Sequence, residues 1–260
     1  MTDRIKLPSS IDRMVGGEPY ETDEIGRSGS AVLILSNKVL KIEKITENAR
    51  SEYRMLSYLQ GKLPVPQILA FEEAEGYQYL LMTKLRGNMA CADGYDPKTV
   101  TLGLADGLKT LWNVDLTGCP RRYTVADRLS DAKKRLDHGL FEGKKPLGTA
   151  FESFDSLYRY LCEHRIEETL VFSHGDYCLP NIFLDGEKAV GFLDLGCSGV
   201  ADQWYDMMMC LWSMRYNFCE FLGMPEREFQ KYKELFFEAL HLTEDPDKLR
   251  YHQLLDLFFE

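Results

Sequence analysis

The pattern of apolar and polar positions changes character along the chain. Ala31-Val32-Leu33-Ile34-Leu35, then Ser36-Asn37, then Val39-Leu40-Lys41-Ile42 reads as strand, turn, strand, dense in β-branched residues, and predicts a hairpin. From Glu47 to Leu59 the spacing becomes helical, with Tyr53, Leu56 and Leu59 apolar at three-residue steps, Gly61 as a stop, and Pro64 and Pro66 ending the element. Gln67 to Phe71 and Tyr77 to Thr83 read as two further strands about a turn at Glu75-Gly76. The first part is therefore expected to hold strands and one helix.

Beyond Gly87 the pattern is mainly helical. Asp96 and Pro97 supply an N-cap and a first-turn proline for a helix with Leu104, Ala105, Leu108, Leu111 and Trp112 on one face. Amphipathic helices also fit Thr124 to His138, Ser153 to His164, Asp202 to Phe218, Pro225 to Leu240 and Pro246 to Phe258, with short strands expected only between Thr169 and Leu193. Gly139 to Ala150 reads as a surface loop, and Met207-Met208-Met209-Cys210-Leu211-Trp212 as helix core. The boundary falls at Lys84 to Met89, dividing the chain into 1–87 and 88–260.

Composition narrows the class. The chain has 260 residues, 45% apolar and 28% charged, enough to bury a large core. A formal charge of −10 argues against nucleic acid or an anionic membrane as partner, since both need clustered Lys/Arg, and favours a small cationic molecule. The acidity is local: residues 1–87 carry 12 Lys/Arg and 12 Asp/Glu, residues 88–150 carry 10 and 8, and residues 151–260 carry 9 and 21. The opening residues lack the apolar run of a secretion signal, and no stretch approaches a membrane span, so a cytoplasmic protein is expected. Seven cysteines, an odd number without a C-x-x-C pair, fit neither a disulfide framework nor a zinc site.

The chemistry concentrates after the strand Leu170-Val171-Phe172, in S-H-G-D-Y-C-L-P-N-I-F-L from Ser173 to Leu184. Asp176 and Asn181 sit five apart on a loop, a spacing that lets a carboxylate face an acceptor hydroxyl while an amide oxygen reaches a metal, as in kinase-type phosphoryl transfer. Thirteen residues further, the strand Ala189 to Leu193 ends at Asp194-Leu195-Gly196, where a carboxylate can bind Mg²⁺ between nucleotide phosphates. Upstream, Lys41 lies within an apolar strand and Glu52 follows eleven residues on, in the helix. Spacing leaves two readings of Lys41 open: a phosphate-orienting lysine braced by Glu52, or a lysine on a solvent face. Gly26-Arg27-Ser28-Gly29-Ser30 can lend N–H groups and a hydroxyl to phosphates. His174 is expected to hold the loop by hydrogen bonds, and Cys178 and Cys197 to be buried, inert thiols.

With these residues in view, the sequence resembles the aminoglycoside 3'-phosphotransferases, antibiotic-resistance kinases with a protein-kinase-like fold. The resemblance is carried by G-K-L-P-V-P at Gly61 to Pro66, L-V-F-S-H-G-D at Leu170 to Asp176, C-L-P-N-I-F at Cys178 to Phe183, G-F-L-D-L-G at Gly191 to Gly196, A-D-Q-W-Y-D at Ala201 to Asp206, and L-L-D at Leu254 to Asp256. It implies an α+β, two-lobed fold: a small β-rich N-terminal nucleotide-binding lobe (1–87) and a larger, mainly helical C-terminal lobe (88–260) for catalysis and substrate. The implied activity is transfer of the γ-phosphate of ATP, or of GTP, to an alcohol group with Mg²⁺, the acceptor hydroxyl being the 3'-hydroxyl of an aminoglycoside.

By position, the resemblance implies Asp176 as the base or hydroxyl-orienting residue, Asn181 and Asp194 as Mg²⁺ ligands, and Lys41 with Glu52 as the phosphate-positioning pair. It further implies Ser28 in the phosphate loop, the Thr83 to Leu85 backbone as adenine hinge, and Asp256, Glu260 and Tyr216 on the acceptor side. The chain departs from the family pattern at Cys197, where arginine usually follows D-x-G. It departs again at Tyr216-Asn217 and Leu257, where acidic residues are common. Those departures keep a second reading in play, a kinase of this scaffold acting on another small molecule. A catalytically silent nucleotide-binding protein is the rival of another class.

Overall fold

The computed structural model describes residues 7–23 and 31–259. Helix α1 (Ser9–Val15) and strands β1 (Glu21–Asp23), β2 (Ala31–Ile34) and β3 (Lys38–Lys44) precede helix α2 (Glu47–Leu59), followed by β4 (Ile68–Ala74) and β5 (Tyr77–Thr83). The five strands form one antiparallel sheet in the order β1-β2-β3-β5-β4. Its tightest turn is Glu75-Gly76 between β4 and β5, both residues at positive φ, the backbone that two-residue hairpins use. Helix α1 corrects the expectation of a single helix here: it is too short for periodicity to show, and buries only Ile11 and Val15.

Register decides which face carries chemistry. Leu33, Leu40, Ile42, Tyr79 and Leu81 cluster with Ile11 and Val15, whereas Leu80 and Met82 turn to the other face and join Met55, Leu56 and Leu59 of α2. Lys41 pairs with Leu80 across the sheet, which puts it on this second face, above α2.

The remaining residues form β6 (Asn88–Met89), α3 (Pro97–Trp112), α4 (Val125–Asp137), α5 (Phe154–Glu163), β7 (Leu170–Ser173), β8 (Ile182–Asp185), β9 (Lys188–Phe192), β10 (Gly199–Asp202), α6 (Gln203–Arg215), α7 (Glu226–Leu240) and α8 (Pro246–Asp256). Helices α3, α4 and α5 start where their caps are: Asp96 accepts from the N–H groups of Lys98 and Thr99, Thr124 and Asp127 form a capping box, and Ser153 with Ser156 another. Strands β6 and β10 lie outside the expected span, because each is defined by a distant partner, β8 and β7, and not by its own pattern. A π-helical turn at Tyr216–Phe221 continues α6. One core runs from Met55 and Leu80 through Leu104 and Leu108 to Phe172, Phe192, Met207 and Phe236. No helix among the described residues is long and apolar enough to cross a membrane.

Candidate active site

The loop after β7 hangs from a buried carboxylate. Asp206, on α6 and fully buried, accepts from the Ser173 hydroxyl (2.9 Å), the His174 N–H (2.7 Å) and the Gly175 N–H (3.0 Å). Burial leaves its carboxyl raised, and His174 with these three donors offsets only part of that. Gly175 is obligatory: φ is +79°, and a Cβ there would lie 2.3 Å from the Cys197 carbonyl oxygen. His174 departs from expectation. Its buried ring has no hydrogen-bond partner on either nitrogen among the described residues and lies edge-on to Tyr177, so it is the backbone N–H that holds the loop.

The loop delivers Asp176 to Asn181, whose Nδ2 donates to Asp176 Oδ2 (2.9 Å) and to its carbonyl (3.0 Å). The amide orientation follows, leaving Asn181 Oδ1 turned away from Asp176. The Leu193 N–H donates to the Asn181 carbonyl at 2.9 Å, which ties the end of β9, and Asp194 after it, to the same place. Asp194 sits in left-handed backbone (φ 54°) with its side chain more than half exposed.

Lys41 closes the site from the sheet side. Its Nζ is 2.6 Å from Glu52 Oε2 and 3.8 Å from both Asp194 Oδ1 and Glu43 Oε1, and the side chain is only 15% exposed, which excludes the solvent-face reading. Burial pushes the ammonium down in pKa, but Glu52, Asp194 and Glu43 together raise it, so Lys41 is a firm cation. Glu52 is pushed up by burial against the pull of Lys41. The two directions oppose one another; three carboxylates around one ammonium decide in favour of the charged lysine.

That ratio also bears on metal binding. Around Lys41 the carboxylates outnumber the cation three to one, and Asp194 and the Asn181 Oδ1 are hard oxygen donors of the type Mg²⁺ selects. No cluster of three or more His, Cys, Asp or Glu able to hold a metal occurs among the described residues.

At the hinge, the Thr83 N–H donates to the Gln67 carbonyl, its hydroxyl accepts from the Gln67 N–H, and the Lys84 N–H donates to the Asn37 carbonyl. Leu85 packs against Gly191. Ser28 and Glu260 lie outside the described residues. Asp256 is already engaged: its Oδ1 accepts from Arg128 Nη2 (2.5 Å) and the Tyr205 hydroxyl (3.1 Å). Tyr216 is exposed and stacks on Trp212, with ring centroids 6.1 Å apart. Trp212 is 60% exposed, so the apolar run on α6 is core only through Leu211. Cys178 is half-buried, its thiol pushed far up by burial and by Asp176, whereas Cys197 is exposed against expectation.

Sequence reasoning assigned no role to Asp206, Glu43 or Arg121. Asp206 lies in the quoted A-D-Q-W-Y-D string, but its use as a loop anchor depends on α6 crossing under β7. Arg121 precedes α4 and donates to the Cys197 carbonyl, reaching the D-x-G turn from a distant segment.

A lysine–glutamate pair facing two strand-end oxygen donors, on a sheet joined to a helical lobe, defines a kinase-like phosphotransferase. The family model described as the phosphotransferase enzyme family matches residues 20–250, and the chain belongs to that family. It is 34% identical to an aminoglycoside 3'-phosphotransferase of Niallia circulans, covering 97% of each chain, and 34% identical to one of Enterococcus faecalis over 82% of this chain and 80% of the relative. The fold is that of the aminoglycoside phosphotransferase APH(3'')-Id of Streptomyces rimosus solved with ADP and streptomycin: TM-score 0.74 at 21% identity, over 98% and 99% of the two chains.

Proposed function

We propose that the protein transfers the γ-phosphoryl group of ATP to a hydroxyl of a small molecule, the 3'-hydroxyl of an aminoglycoside. The observation that carries this reading is the convergence of Lys41–Glu52, Asp194 and the Asp176–Asn181 pair on one site; the names of the relatives supply the acceptor. Lys41, fixed by Glu52, orients the phosphates, and the Leu85 backbone beside Thr83 receives the adenine. Asp176, held by the Asn181 amide, aligns the attacking hydroxyl and accepts its proton as the bond to phosphorus forms. Asn181 Oδ1 and Asp194 would hold Mg²⁺, which when bound neutralises phosphate charge. The seven free cysteines suit a reducing compartment, and we place the protein in the cytoplasm.

Incubation with ATP and kanamycin should release ADP and leave phosphate on the drug, and GTP in parallel tests the nucleotide. ADP release with none of several aminoglycosides would instead favour a kinase of the same scaffold with another acceptor, a reading that the engagement of Asp256 by Arg128 supports.

A further inference from the structure

The turn that carries Asp194 meets the Asp176 loop on both sides of that carboxylate. Before it, the Leu193 N–H donates to the Asn181 carbonyl at 2.9 Å. After it, the Cys197 carbonyl lies against Gly175, its oxygen 2.3 Å from where a Cβ would stand. Gly175 has no side chain to bind that oxygen, and its N–H is already given to Asp206 and to Ser173 Oγ. The donor that the Cys197 carbonyl receives is the Arg121 guanidinium, which also reaches the Ser198 carbonyl at 3.4 Å.

Arg121 is itself firmly built in. Its carbonyl accepts from the Val200 N–H (2.9 Å), and the Tyr123 N–H donates to the Val200 carbonyl (2.9 Å), so residues 121–123 run in parallel beside β10. That approach requires Gly199, where a Cβ would lie 2.7 Å from the Arg121 carbonyl oxygen. At the other end of the side chain, the guanidinium carbon lies 4.3 Å from the Tyr123 ring centroid. An arginine held at its backbone and at its head group loses little further entropy in keeping one hydrogen bond. The chain has cysteine at 197, where arginine usually follows D-x-G, and brings a guanidinium to the same turn from 76 residues upstream.

Resting on the phosphotransfer reading above, we propose that Arg121 is a positioning residue. By holding the Cys197 carbonyl against Gly175, it fixes Asp194, and the Mg²⁺ that Asp194 would hold, relative to Asp176. Phosphoryl transfer needs the attacking hydroxyl and the phosphate in line, and a displacement of about 1 Å between the groups that place them costs roughly 10²-fold in rate. Arg121 acts through the turn, so its loss falls on turnover and not on the overall fold.

Arg121→Met keeps an apolar stem on Tyr123 and the backbone bonds to Val200, and removes only the donors. With ATP and kanamycin its kcat should fall about tenfold or more, with Tm within about 2 °C of the wild type. Hydrogen–deuterium exchange of the peptide covering Asp194 to Gly199 should quicken several-fold, with α5 and α7 unchanged. Methylguanidinium in solution should restore both readouts. Arg122→Met, which removes the same charge from the exposed neighbouring residue, should change neither. Unchanged exchange in Arg121→Met, or faster exchange beside an unchanged kcat, overturns the inference. So does a fall in kcat matched by a fall in Tm that methylguanidinium leaves in place, the mark of a merely structural arginine. Faster exchange that methylguanidinium reverses, in a protein whose wild type phosphorylates no acceptor, supports the hold of Arg121 on the Asp194 turn and overturns the proposed activity.

Discussion

Asp176 is held by an amide, not by a charge, and this sets what its replacement does. In Asp176→Asn the new carbonyl oxygen can still accept from Asn181 Nδ2, so the loop keeps its shape while the proton acceptor is gone. Turnover should fall by roughly 10²–10⁴-fold with the KM for nucleotide little changed, read by steady-state kinetics in both substrates. Glu52→Gln removes the charge that fixes Lys41 and leaves the ammonium to Asp194 and Glu43, both 3.8 Å away. Loss of a charge-assisted bond of about 1.5–3 kcal/mol should lower kcat/KM for ATP by roughly 10- to 100-fold. At this scale the meeting of Asp176 with Asn181, and of both with the turn at Asp194, was legible from the motif spacing. Lys41 was not, since alternation permits either face and only pairing with Leu80 settles which one it takes.

At the scale of elements, the helices from α2 onward were legible because their apolar patterns, and for several their caps, are local, and α1, β6 and β10 were not, α1 being too short and the strands' partners remote. Helix α3 shows how an element positions the site without touching it. Tyr177 donates its hydroxyl to the Leu104 carbonyl (2.7 Å), and a Cβ on Gly107 would lie 2.2 Å from that hydroxyl oxygen. Gly107→Ala, favourable by about 1 kcal/mol in an isolated helix, should here lower both Tm and turnover, because Tyr177 follows Asp176 directly. Asp206→Asn places an NH₂ group among three donors. It should cost roughly 2–4 kcal/mol, a drop in Tm on the order of 10 °C by calorimetry, with turnover falling in step.

Across the whole molecule, residues 151–260, with 9 Lys/Arg and 21 Asp/Glu, face a proposed cationic acceptor, whereas residues 1–87 are balanced and hold the lysine for an anionic one. Salt should separate the two. Raising ionic strength from 50 to 500 mM shortens the Debye length to a few ångströms, and the KM for the aminoglycoside should rise several-fold, more than the KM for ATP does. The two-lobed plan was legible in the sequence through the change from strand to helix spacing near Gly87, while the core that joins the lobes, from Met55 and Leu80 to Phe172 and Phe192, was not, because no local pattern records which apolar faces meet.

Helix α6 grips the loop on one side and presents an exposed aromatic pair on the other. Its inner residues Asp206 and Ser213 grip the loop, at Ser173 to Gly175 and at the Leu179 N–H, and outward it shows Trp212, stacked on Tyr216 of the π-helical turn that follows. A substitution on the outer side leaves every bond to the loop in place. The outer face of this scaffold can thus change while the loop that carries Asp176 inherits no change.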